Sequence, residues 1–133
     1  MTHATIEHVM TPAPYTVGHE QPIAVAQKLM TQHTVRHLPV LEGGRLVGLV
    51  SQRDLEFIGA RGGSDAQKTP VSEAMSNDVF TVKPAATVRS VAKQMAENKH
   101  GSAVVVDANG RVLGVFTTID ALRVLSALLD EVG

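Results

Sequence analysis

The amino-acid sequence predicts an α/β fold in which one β-α-β-β-α unit is used twice. Three observations carry this prediction. The chain repeats itself: Met10, Thr16-Val17 and Met30 recur 65 positions later as Met75, Thr81-Val82 and Met95, and Arg45, Gly48 and Asp54 recur at an offset of 66 as Arg111, Gly114 and Asp120. The best-matched copies, GRLVGLVSQRDL at 44–55 and GRVLGVFTTIDAL at 110–122, share one grammar. A Gly-Arg turn opens an apolar run broken by a single glycine; a hydroxyl residue (Ser51, Thr117) follows, and an aspartate (Asp54, Asp120) comes three positions later. Finally, the offset changes only between two apolar runs, where a hairpin turn absorbs one residue.

Each copy yields its elements in the same order. A short helical turn ends at the methionine (IEHVM, VSEAM), and a brief extended segment follows at Tyr15-Thr16-Val17 and Phe80-Thr81-Val82. A helix comes next. In the first copy Pro22 suits its first turn, with Ile23, Ala26, Leu29 and Met30 as the apolar stripe. In the second, Thr87 is the expected N-cap and Val88, Val91, Ala92 and Met95 form the stripe. Two apolar runs then read as hairpin strands, 38–41 with 46–50 and 103–106 with 112–116, joined by the turn sequences EGGR and DANG. A closing helix follows Ser51 or Thr117. Repeat one is placed at 1–60, a linker at 61–69 and repeat two at 70–133. Halves of roughly 60 residues are individually marginal on surface-to-volume grounds, so each is expected to pack against its twin.

Composition narrows the function. The chain of 133 residues has 44% apolar residues and a formal charge of −1, with no polybasic or acidic tail. This argues against nucleic acid or an anionic membrane surface as partner. Aromatic residues are 3% (Tyr15, Phe57, Phe80, Phe116), too few for base-stacking platforms. No cysteine is present, which removes disulfides and thiol chemistry. The N-terminus lacks the basic and apolar regions of a secretion signal, and no apolar run approaches the roughly 20 residues that span a bilayer. A cytoplasmic location is the expectation.

The motif that bears chemistry is the hydroxyl-x-x-Asp pair. At a helix entrance it reads as a capping box, which is sufficient structural reason for both residues. The same geometry also offers an aspartate at the end of a strand to accept bonds from the vicinal hydroxyls of a ribose. Both readings stand. His33 and His37 are spaced like helical zinc ligands, but Pro39 pulls His37 out of the helix and no Glu or Cys completes a site, so no metal is expected. The scattered histidines form no catalytic set, and neither Ser51 nor Thr117 has a base in a recognisable motif. No enzymatic activity is predicted. Gly48 and Gly114 follow no phosphate-loop pattern and read as points of close backbone approach. The last helix, 119–132, carries Ala121, Leu122, Val124, Leu125, Leu128, Leu129 and Val132, more than one core contact needs. It is expected either to pack between both halves or to form a homodimer interface.

Taken together, VMTPAPYTV, HTVRHLPVLEGGRLVGLVSQRDL, AMSNDVFTV and HGSAVVVDANGRVLGVFTTIDAL resemble a tandem pair of CBS domains, the cystathionine-β-synthase-type regulatory motif, over nearly the whole chain. The resemblance implies two repeats packed through their sheets with pseudo-two-fold symmetry and two clefts shared between them. It also implies an adenosine-containing ligand: AMP, ADP or ATP, or else S-adenosylmethionine or NAD. Carried over position by position, Tyr15, Thr16, Val35, Arg36, His37, Thr117, Ile119 and Asp120 would line the first cleft. Phe80, Thr81, His100, Gly101, Ser102, Ser51, Arg53 and Asp54 would line the second. Backbone groups at 35–37 and 100–102 would read the adenine edge. Arg36 and His37 at one cleft, and Arg53, Lys99 and His100 at the other, favour a phosphorylated ligand. The copies diverge in charge, since Ile119 stands where the first has Arg53. The expectation is a stand-alone, homodimeric sensor without required cofactor, with room for no appended catalytic domain. The alternative is a ligand-free module that dimerises or docks on a partner enzyme or transporter.

Overall fold

The computed structural model describes residues 4–60 and 65–133. It is a mixed α/β structure with two sheets and four α-helices among the described residues. The chain divides into two compact units: a central unit, Tyr15–Val79, and a terminal unit in which the segment ending at Pro14 joins Phe80–Gly133.

In the central unit β2 (Val17–Gly18) runs parallel to β3 (His37–Glu42), which pairs antiparallel with β4 (Arg45–Ser51). Gly43 and Gly44 both have positive φ, 58° and 81°, so the hairpin closes in two residues with Glu42 opposite Arg45. Helix α1 (Ile23–His33) buries Ile23, Ala26 and Met30 of the expected stripe, with Leu29 packed beside them. Pro22 sits one position outside this helix, extended at ψ 149°, and has no side chain with which to cap it. The first two helical N–H groups instead donate to the carbonyls of Thr69 (2.9 Å) and Ala66 (2.9 Å). That stretch belongs to the predicted linker, of which 61–64 lie outside the described residues. Helix α2 (Gln52–Ala60) adds Leu55 and Ile58 to a core otherwise built from Val17, Leu38, Val40, Val50 and Val71.

The terminal unit orders its strands β1-β7-β6-β5: β1 (Thr11–Pro12), β7 (Val112–Thr117), β6 (Ser102–Val106) and β5 (Thr81–Val82). Thr87 caps helix α3 (Val88–Asn98) as expected, its hydroxyl accepting from the Ser90 N–H at 3.2 Å. Val88, Val91 and Met95 face a core shared with Ile6, Ala103, Val105 and Phe116. Helix α4 (Thr118–Val132) is different. Ala121 and Val124 pack on that core, while Leu122, Leu125, Leu128, Leu129 and Val132 remain exposed.

The interrupting glycines find their reason here. β1 pairs with β7 so that Thr11 opposes Val115 and Pro12 opposes Gly114, and the Ser76 backbone exchanges bonds of 2.8 and 3.0 Å with Leu49. A side chain on Gly114 would meet Met10, and one on Gly48 would meet Met75. Each methionine turn thus covers a bare patch of strand. Close backbone approach, the sequence expectation for both glycines, is what the structure contains.

Candidate functional site

Both aspartates stand where an antiparallel strand turns into a helix. In the central unit Ser51 ends β4, and its hydroxyl accepts from the Asp54 N–H at 3.0 Å while the Asp54 carboxylate accepts from the Ser51 N–H at 2.8 Å. This is the reciprocal pairing of a capping box. The Gln52 N–H donates to the Arg36 carbonyl at 2.8 Å, and the β3–β4 register sets His37 opposite Ser51. These contacts collect Arg36, His37, Ser51, Gln52, Arg53 and Glu56 around an open depression of about 410 Å³. His37 is half-buried, and burial is the main reason its pKa is lowered; the Asp54 charge raises it and the Arg36 charge lowers it further. The neutral imidazole is therefore favoured beside the Arg36 charge. Tyr15 lies on the same unit, stacked on His33 at 3.7 Å between ring centres and 10° between planes.

The terminal unit repeats the junction with a different outcome. Thr117 and Asp120 form the predicted capping box, with the Thr117 N–H donating to Asp120 Oδ2 at 2.9 Å and the Asp120 N–H donating to Thr117 Oγ1 at 3.4 Å. Thr118 N–H donates to the Gly101 carbonyl at 3.2 Å, and Ser102 opposes Thr117. Asp120 is 5% exposed. Its carboxylate also accepts from the Thr11 hydroxyl, 3.2 Å from Oδ1, and from the Thr117 hydroxyl, 3.2 Å from Oδ2, and Arg123 stands 3.6 Å away. Phe80 stacks on His100 at 4.8 Å and 12°.

In each unit the hydroxyl-x-x-Asp pair falls at one strand-to-helix end. Arg36, His37, Ser51 and Arg53, which the sequence distributes over two clefts, share the central depression. Val35 and His100 follow helices whose C-cap residues, Thr34 and Lys99, adopt positive φ (54° and 57°), and the N–H groups of Val35 and His100 bond back to the Met30 and Met95 carbonyls. The carbonyls of Arg36 and Gly101 are already engaged by the helix starts, so of the groups expected to read an adenine edge these two each have one acceptor position in use. Thr16 is half-buried; Thr81 and Ile119 are exposed. Sequence reasoning missed Gln52, Glu56, Thr11 and Arg123. Arg123 was within reach, three residues after Asp120 on the same helix; Thr11 carried only the weak signal of a hydroxyl residue, like Ser76, after its methionine. Among the described residues no group of His, Asp and Glu side chains is placed to hold a metal ion, and no helix is long and apolar enough to cross a membrane.

The sequence profile of the CBS domain matches the chain twice, over residues 6–57 and 71–127. The chain belongs to the CBS-domain family. As a CBS pair it is similar to the CBS domain-containing protein YhcV of Bacillus subtilis, 34% identical over 109 residues that make up 82% of this chain and 77% of that protein. It is also 33% identical over 108 residues to the inosine-5′-monophosphate dehydrogenase of Thermoplasma acidophilum; this covers 81% of the CBS pair but 21% of the dehydrogenase, about a fifth of that relative's length. Among solved structures, a protein assigned to acetoin utilization (AcuB) from Vibrio cholerae superposes with a TM-score of 0.85 at 32% identity, covering 95% of this chain and 93% of that one. The CBS domain pair of protein MJ0100, solved with 5′-methylthioadenosine and S-adenosyl-L-methionine, gives 0.81 at 26% identity over 93% and 97% of the two chains. The order of elements derived from the repeat is thus the order of the family's fold.

Proposed function

We propose that this CBS pair is a regulatory module that binds an adenosine-containing ligand, by preference an adenine nucleotide, and performs no chemistry of its own. The observation that carries the reading is the central depression: two guanidinium groups, Arg36 and Arg53, beside a helix entrance whose aspartate keeps acceptor capacity. Arginine pairs with phosphate through charge-assisted, bidentate bonds, and a carboxylate takes a ribose diol in the same way. That MJ0100 holds adenosyl ligands supports the class of ligand. AMP, ADP and ATP fit the charge best, with S-adenosylmethionine and NAD as the further members of the class. Bound ligand favours one conformational state and so changes the surface offered to a protein partner. The proposed setting is a cytoplasmic homodimer.

Thermal unfolding with a panel of AMP, ADP, ATP, S-adenosylmethionine and NAD tests this reading. A ligand at 100 times its dissociation constant stabilises the native state by about 2.7 kcal/mol, which raises the midpoint by several degrees. A flat panel overturns it. The second reading, a ligand-free dimerisation or docking module, draws on the exposed apolar face of α4; it is the one left standing by a flat panel and a dimeric chain.

A further inference from the structure

The two capping aspartates are equivalent in the repeat but not as acceptors. We propose that Asp54 is the carboxylate that takes the ligand's ribose hydroxyls and that Thr11 holds Asp120 closed, so that the chain binds one nucleotide tightly instead of two. The inference rests on the function proposed above and assigns it to one of the two junctions.

An ionised carboxylate offers about four acceptor positions. At Asp120 they are taken by the Thr11 hydroxyl, the Thr117 N–H and the Thr117 hydroxyl, with the Arg123 guanidinium against Oδ1, and the residue is 95% buried. A ribose diol has to displace Thr11 to bind there. At Asp54 one position is used, by the Ser51 N–H on Oδ2; among the described residues Oδ1 has no partner, and the side chain is only half-buried. The difference is written in two substitutions between the copies. Thr11 corresponds to Ser76, whose backbone pairs with Leu49 but whose hydroxyl makes no bond to Asp54 among the described residues. Arg123 corresponds to Phe57, which brings no charge. The cations divide the same way: Arg36 and Arg53 line the central depression, where the second copy has Gly101 and Ile119.

Calorimetric titration of the full chain with AMP, and separately with S-adenosylmethionine, decides the point. One tight site per chain is expected, with any second site about ten- to a hundredfold weaker, the equivalent of one hydrogen bond to a charged group. Asp54→Asn should abolish the tight site. Thr11→Val, which keeps the shape and strand preference but removes the hydroxyl, should strengthen the second site by a similar factor and move the stoichiometry towards two. Two equal sites in the unmodified chain, tight binding that survives Asp54→Asn, or a Thr11→Val titration identical to the parent each overturn the inference. A readout without ligand stands beside these: Asp120→Asn should lower the unfolding midpoint by more degrees than Asp54→Asn, and equal shifts mean that Asp120 is not committed to the fold. Absence of binding by these two and by ADP, ATP and NAD overturns the proposed function itself, whereas binding at two equal sites overturns only its assignment to Asp54.

Discussion

His37 sits half-buried at the start of β3, where the Asp54 and Arg36 charges act on it in opposite directions and burial dominates the balance by disfavouring the charged ring. Its folded pKa therefore lies below that of the unfolded chain. The unfolded state binds the proton first as pH falls, so His37 costs no stability above the ordinary imidazole value of about 6.5 and progressively more below it. The chain should lose stability between pH 7.5 and 5.5 by more than its His37→Gln variant does, as read from urea midpoints at the two pH values. Parallel losses in both proteins refute the assignment. The capping pairs Ser51/Asp54 and Thr117/Asp120 were legible in the sequence because an N-cap and its third helical residue are tied by local geometry alone. The bond from Thr11 to Asp120 was not, since it joins residues 109 positions apart. Arg36 and Arg53 likewise meet around one depression only because β3 and β4 pair with His37 opposite Ser51.

At the scale of elements, the helices and hairpins follow from periodicity and turn chemistry, and their order, apolar stripes and turns were legible. The two-residue strand β1 was not. Two residues carry no period, and its partner β7 lies about a hundred positions away. What the sequence did mark was the gap this strand fills. A methyl group on Gly114 would press on the Met10 side chain and stand 2.8 Å from the Thr11 carbonyl oxygen; one on Gly48 would stand 2.5 Å from Met75 Sδ and 3.0 Å from the Ser76 carbonyl oxygen. A methionine side chain can yield, but the backbone oxygen is held by the pairing itself. Gly114→Ala should therefore destabilise the chain by about 1–3 kcal/mol, the usual range for overpacking. Gly59→Ala in α2 meets nothing within 4 Å and should be neutral or stabilise by up to about 1 kcal/mol through helix propensity. Urea unfolding of both variants checks the pair, and equal effects would remove the packing explanation.

For the whole molecule, the decisive feature is how little of α4 its own unit covers. The sequence left open whether this helix packs between both halves or makes a homodimer interface. The structure buries Asp120 and half-buries Ala121 and Val124, while Leu122, Leu125, Leu128, Leu129 and Val132 stay exposed. At 3.6 residues per turn these five fall on one contiguous face, next to the side that meets the core. Val132 is 82% exposed and Leu122 58%, so the face is open along most of the helix. Removing such a face from water is favourable by about 25 cal/mol per Å² of apolar surface, and a two-fold interface lets one helix cover its copy. We expect light scattering to give twice the chain mass at micromolar concentration. Leu125→Glu, which sets a carboxylate in the middle of the face, should return the chain mass while leaving the far-ultraviolet circular dichroism unchanged, because the side chain contributes nothing to its own core. A chain that scatters as a monomer before substitution, or a Leu125→Glu variant that remains dimeric, would show that the exposed face of α4 does not hold two copies together.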